Sequence, residues 1–194
     1  MKKFTNEYER FADATKGIKD GDRPGVYLGS GSESQTWLIN DEGEQFVLKF
    51  ANTLSPRGRQ RNIAAAINNA MVVGAKAEGI SGLEQLRAVS PADGVAVYDF
   101  IPGQTVDRII ADDVSGEQVS TLLKTITEAT NAGIKFDGWN ITRSNGIYNP
   151  ATGFTLLDFW PAPGGLTLEK NTKYALRSLG AVGLVLAERT GYRI

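Results

Sequence analysis

Residues 136–160, FDGWNITRSNGIYNPATGFTLLDFW, set polar and apolar blocks in an order that few local folds accept. A polar loop from Asp137 to Asn145 gives way to Ile147 and Tyr148. Asn149 and Pro150 follow, with Gly153 behind them, and then an apolar run from Phe154 to Leu157 stops at Asp158. Asn-Pro with a nearby Gly is turn chemistry, and the apolar pieces on either side have strand length, so the stretch predicts two antiparallel strands joined by a turn. In such a hairpin Asn145 leaves the loop and Asp158 leaves the second strand on the same rim. An amide oxygen and a carboxylate so placed suit a hard cation such as Mg²⁺.

The chemistry open to the chain is narrow, because its 194 residues include no Cys and no His. Disulfides, thiolate nucleophiles, zinc sites of the usual ligands and every Ser-His-Asp or Cys-His mechanism are thereby excluded. Carboxylates, Lys, Tyr, hydroxyls and an oxygen-bound metal remain. That inventory suffices for phosphoryl transfer, whose catalysis is mostly positioning and charge neutralisation. A hydrophobic content of 41% supports a globular fold. A net charge of −1 gives no electrostatic case for nucleic acid or an acidic membrane. No apolar run approaches the length of a membrane span, and the basic start of the chain lacks the apolar core of a signal peptide.

Along the chain the hydrophobic period changes once, near Gly25. Before it, Phe4, Tyr8 and Phe11 mark one stripe on a short helix packed on the outside of the domain, and Asp20 to Pro24 break it. After it, Val26–Leu28, Thr36–Ile39 and Gln45–Phe50 predict three antiparallel strands, joined by a glycine-rich loop and a hairpin turn. Gly29 and Gly31 in that loop would let backbone N–H groups approach phosphate oxygens. Lys49 lies within the apolar third strand, on the same face as Val47 and turned towards a protected surface. An edge-strand Lys that discourages aggregation is the plain alternative. A helix over 62–74 carries Ile63, Ile67 and Met71 on one face. Strands are expected over 83–89 and 94–101, a short helix over 105–113, and a helix over 115–131 opened by a Ser115/Gln118 capping box. One final helix is expected from Lys170 to Arg189.

The order of these parts resembles the protein-kinase-like superfamily. Val47-Leu48-Lys49 is similar to the family's Val-Ala-Ile-Lys strand, and Asn145 followed by Asp158-Phe159 is similar to the catalytic-loop Asn and the Asp-Phe-Gly motif. The apolar strand ending in Asp99-Phe100-Ile101-Pro102-Gly103 resembles the hinge, where backbone groups meet adenine. The resemblance implies an α+β, minimal two-lobed protein-kinase-like fold. It would comprise a helical extension over 1–24, a small antiparallel β-sheet N-lobe over 25–101 and a reduced helical C-lobe over 102–194. It further implies nucleotide binding by Gly29, Gly31, Lys49, Asp99 and Ile101, with Mg²⁺ held by Asn145 and Asp158 and ATP as the donor.

Four departures stand against the pattern. Gly138-Trp139-Asn140 replaces His-Arg-Asp, so Asn140 stands where the base would be, and Asp137 is the one nearby carboxylate. Trp160 replaces the glycine of Asp-Phe-Gly, and Ser34 replaces the third loop glycine. The helix after the strand lysine lacks the family's Glu, with Asn68 or Asn69 standing nearest. The expected function is therefore a Mg²⁺- and ATP-dependent phosphotransferase acting on Ser, Thr or Tyr of a protein. The alternative is a pseudokinase that binds nucleotide or protein without transfer. The chain looks most similar to the minimal kinase-like proteins that some bacteria deliver into host cells. That resemblance implies a monomer that is cytoplasmic or delivered without a classical signal peptide.

Overall fold

The strand period that begins at Gly25 builds one five-stranded antiparallel sheet. The computed structural model describes residues 2–22, 25–30, 34–52, 62–136, 145–162 and 164–193. Gly31, Asp137 and Asn140, three residues singled out above, lie outside them. The fold is α+β and divides into two units, residues 1–75 with 85–100 and residues 76–84 with 101–194.

The first unit opens with α1 (Lys2–Asn6), a 3-10 turn (Glu7–Phe11) and α2 (Ala12–Asp20). Strands β1 (Val26–Ser30), β2 (Ser34–Asp41) and β3 (Glu44–Ala51) follow, then α3 (Ile63–Ala77), β4 (Leu86–Ser90) and β5 (Val95–Asp99). The spatial order is β1-β2-β3-β5-β4, with every neighbouring pair antiparallel. Strand alternation decides the two cores. Phe46 and Leu48 of β3 face Trp37, Ile39, Val95 and Val97, and Phe11 covers that face. Ala96 and Val89 belong to the other core, with Ile67 and Met71 of α3 and Phe4 of α1. A Cβ on Gly74 would come within 2.5 Å of the Leu86 side chain, so only glycine lets α3 lie this close to β4.

The N-terminal stripe is thus not the single outer helix the spacing predicts. The helix is interrupted at Asn6–Glu7, and Phe4 and Phe11 enter two different cores. Both α1 and the 3-10 turn lie against β4, an outer strand of the sheet. Covering an edge strand and filling a core on each face together favour the break over one continuous turn-spaced helix.

The second unit contains β6 (Gln104–Thr105), two 3-10 turns (Val106–Arg108 and Ala111–Asp113), α4 (Gly116–Asn131) and β7 (Ile134–Phe136). It continues with β8 (Gly146–Asn149), β9 (Gly153–Leu156), β10 (Phe159–Pro161), α5 (Leu168–Ser178) and α6 (Gly180–Thr190). The predicted hairpin is β8–β9, pairing Gly146 with Leu156 and Asn149 with Gly153. β6 adds to its other side, and β7 pairs with β10. The Ser115/Gln118 capping box is present on α4, which buries Val119, Leu122, Ile126 and Ala129.

Three expectations change here. The short helix over 105–113 is two 3-10 turns, because Ile109 and Ile110 between them are extended. The final helix is two helices, broken where Gly180 takes a φ of +62° and Gly183 sits against the Leu176 carbonyl. The strand over 83–89 shortens to β4. Leu83 instead bridges in parallel to Leu156, and its side chain is buried in the second unit's core.

Two outcomes follow from this packing. A Cβ at position 183 would lie 1.7 Å from the Leu176 carbonyl oxygen, so Gly183→Ala is expected to lower stability by about 3 kcal/mol or more in urea denaturation. Burial pushes the Tyr8 phenol up from 10.0 to about 12, with a smaller upward push from Asp93 and opposing ones from Thr15 and Ser90. Folding thus favours the neutral phenol. Its contribution is complete below pH 10 and is lost as pH rises towards 12, so melting curves of Tyr8→Phe should fall less steeply than the parent's across that interval.

Candidate functional site

The hairpin β8–β9 brings Asn145 and Asp158 to neighbouring positions. The Leu157 N–H donates to the Asn145 carbonyl at 2.9 Å, and the Asn145 N–H donates to the Ser178 carbonyl at 2.8 Å. Asn145 is therefore held from both sides, and Asp158 is the next residue after its partner. Asp158 is exposed and has a φ of +52°, one of two non-glycine residues with positive φ among those described. Left-handed backbone disfavours a residue with a Cβ by about 1–2 kcal/mol, although Asp tolerates it better than most.

That conformation has a visible support. The Asp158 N–H donates to Oε1 of Glu84 at 2.9 Å, and Glu84 is only 5% exposed. The Glu84 backbone is fixed in turn, its N–H donating to the Leu156 carbonyl at 3.1 Å, while Leu156 N–H donates to Gly82 at 2.8 Å. Glu84 was not among the residues singled out from sequence. A charged residue between Leu83 and Leu86 is the only local signal, and in a strand it reads as solvent-facing.

Asn171, also missed, organises the approach to the loop from the other end. Its fully buried amide donates to Thr130 Oγ1 and to the Ile134 carbonyl, both at 2.8 Å, and accepts from the Phe136 N–H at 3.0 Å. Both amide hydrogens and the oxygen are thus used on β7 and α4, immediately before residue 137. A polar residue near the start of a helix carries no sign of this in sequence.

In the first unit Lys49 lies half-buried on β3, its ammonium 4.6 Å from the centre of the Tyr98 ring on β5. The sheet excludes the plain reading of an edge-strand guard, since β3 has β2 on one side and β5 on the other. An ammonium over a phenol face, held off bulk water, gains about 0.5–2 kcal/mol of cation–π attraction. Gly29 has a φ of +146°, next to an irregularity between Tyr27 and Gly29, and a Cβ there would meet only open space. Backbone freedom, not crowding, calls for glycine at that position. Asp99 closes β5, where its carboxylate accepts from Arg87 Nε. The N–H groups of Asp99 and Phe100 are taken by the Gln85 and Gln45 carbonyls. Ile101 is half-buried in the second unit. α3 carries no acidic residue in its first turn, and Asn68 and Asn69 are both exposed on it.

The rim offers the amide oxygen of Asn145 and the carboxylate of Asp158, hard ligands of the kind that fit Mg²⁺, which usually takes one or two carboxylates along with water and substrate phosphate. Among the described residues no group of three or more Asp, Glu, His or Cys is placed to hold a metal ion by itself. Also among them, no helix is long and apolar enough to cross a membrane. No protein-family model matches the chain, and no curated protein matches it.

Replacing Asn171 by Leu leaves the Phe136 N–H and the Ile134 carbonyl buried without their partner. At about 1–3 kcal/mol for each buried group left unpaired, a loss of roughly 3 kcal/mol in urea denaturation is expected.

Proposed function

We propose that this chain is a Mg²⁺- and ATP-dependent phosphotransferase of the protein-kinase type, transferring phosphate to a Ser, Thr or Tyr hydroxyl of a protein. The observation that carries it is the juxtaposition at the hairpin rim, where the exposed Asp158 directly follows Leu157, the residue whose N–H is bonded to the Asn145 carbonyl. Lys49, half-buried in a central strand of an antiparallel sheet, supports the same reading from the other unit.

On this reading Asn145 and Asp158 hold Mg²⁺ through oxygen, and the ion supplies neutralisation of phosphate charge. Lys49 takes the α- and β-phosphates. Gly29 and Gly31 offer backbone N–H groups to phosphate oxygens, and Asp99 and Ile101 border the adenine. Asp137 orients the acceptor hydroxyl, because Asn140 has no carboxylate with which to take its proton. The protein acts as a monomer on a protein substrate, in the cytoplasm or in a host cell.

A pseudokinase is the second reading, and the specific observation favouring it is Asn140 in the position of the base, together with a helix α3 that offers no carboxylate in its first turn. Nucleotide binding would then persist without transfer.

Thermal denaturation with and without Mg-ATP tests the shared part. A ligand that binds only the folded chain at about 100 times its Kd stabilises it by about 2.7 kcal/mol. The parent should shift upwards while Lys49→Ala and Asp158→Ala should not, and an unshifted parent would sink both readings. Asn140→Asp then separates them: autophosphorylation that rises with the restored carboxylate marks an enzyme, whereas silence in both forms marks a binding module.

A further inference from the structure

We propose that Glu84 is a positioning residue for the Asp158 carboxylate, an inference whose chemical consequence rests on the phosphotransferase reading and whose geometry does not. β9 ends at Leu156, and the N–H of Leu157 is spent on the Asn145 carbonyl. The next N–H, that of Asp158, finds its acceptor in the Glu84 side chain at 2.9 Å. With the N–H direction set by that bond and φ at +52°, the direction of the Asp158 Cα–Cβ bond is set too. The exposed carboxylate therefore starts from a defined point beside Asn145.

Glu84 suits the task in two ways. Its own N–H is bonded to the Leu156 carbonyl, so the acceptor is anchored to the strand whose end it governs. Its carboxylate is buried, and a buried carboxylate stays engaged with donors because an unbonded one is strongly disfavoured. Removing that acceptor takes away a bond that favours the left-handed backbone, and relaxation of Asp158 towards extended backbone carries its carboxylate away from the rim. Partners of this kind, which orient a metal ligand without touching the metal, typically govern 10–100-fold in metal affinity.

The test uses the full chain with two replacements. Glu84→Leu fills the buried space without an acceptor, and Glu84→Gln keeps an acceptor oxygen without the charge. Mg²⁺ is titrated at fixed ATP by thermal shift, and exchange of the Asp158 amide hydrogen is followed by NMR in the absence of ligand. The expected result is a Mg²⁺ midpoint raised about 10–100-fold in Glu84→Leu and largely restored in Glu84→Gln. The Asp158 amide should also exchange faster in the Leu variant alone. A Glu84→Leu protein that melts cooperatively with the parent's Mg²⁺ midpoint overturns the inference. If the parent itself ignores Mg-ATP, the phosphotransferase reading falls separately, and unchanged Asp158 exchange in Glu84→Leu would still overturn the positioning role.

Discussion

Leu156 spends both its backbone N–H and its carbonyl on the segment from Gly82 to Glu84 while its side chain is fully buried. Its N–H goes to Gly82 and its carbonyl receives the N–H of Glu84, and across β9 it pairs with Gly146 of β8. Every group at the hairpin rim is referred to this one residue. Asn145 precedes its partner on β8, Leu157 and Asp158 follow it, and Glu84 is the residue bonded to its carbonyl. A rim assembled from backbone hydrogen bonds around a buried aliphatic anchor holds its side chains more narrowly than a loop could, because shifting any one of them would strand a buried polar group.

The first unit solves a different problem. A five-stranded sheet has two faces to cover and an outer strand to protect, and α3 can cover only one face. The N-terminal segment supplies Phe11 to the core of Phe46 and Leu48, Phe4 to the core beneath α3, and lies along β4. Surface ion pairs accompany this arrangement, with Arg10 on Asp41 and Glu44, and Lys19 on Asp93. Exposed pairs of this kind contribute little, so the aromatic burial carries the association. Lys49 stands on a sheet with a hydrophobic core on each face.

Phosphoryl transfer needs little covalent chemistry from the protein, and a chain without Cys or His is suited to it. On the proposed reading the departures from the kinase pattern fall on the base, on the helix carboxylate and on two glycine positions, now Trp160 and Ser34, while Asn145, Asp158 and Lys49 stand where oxygen ligands and a strand lysine would be. Loss of a base would lower the rate of such a reaction, which is dominated by positioning and metal charge, without removing the groups proposed to bind nucleotide. On the proposed reading, transfer and mere binding would thus differ by a few side chains on a shared scaffold.

Local pattern by itself determined the β8–β9 hairpin, the alternation that buries Phe46 and Leu48 while turning Lys49 the other way, the capping box of α4 and the absence of thiol and imidazole chemistry. Each of these depends on residues a few positions apart, where period and turn chemistry act directly. Tertiary structure alone decided the rest. Glu84 meets an N–H 74 positions away, and Asn171 reaches back to a strand 35 positions earlier, distances over which no periodicity connects the partners. The break at Gly180 and the division of Phe4 and Phe11 between two cores have the same origin. A glycine or an aromatic is compatible with several local conformations, and the one adopted is the one that fills space and satisfies polar groups set by distant parts of the chain.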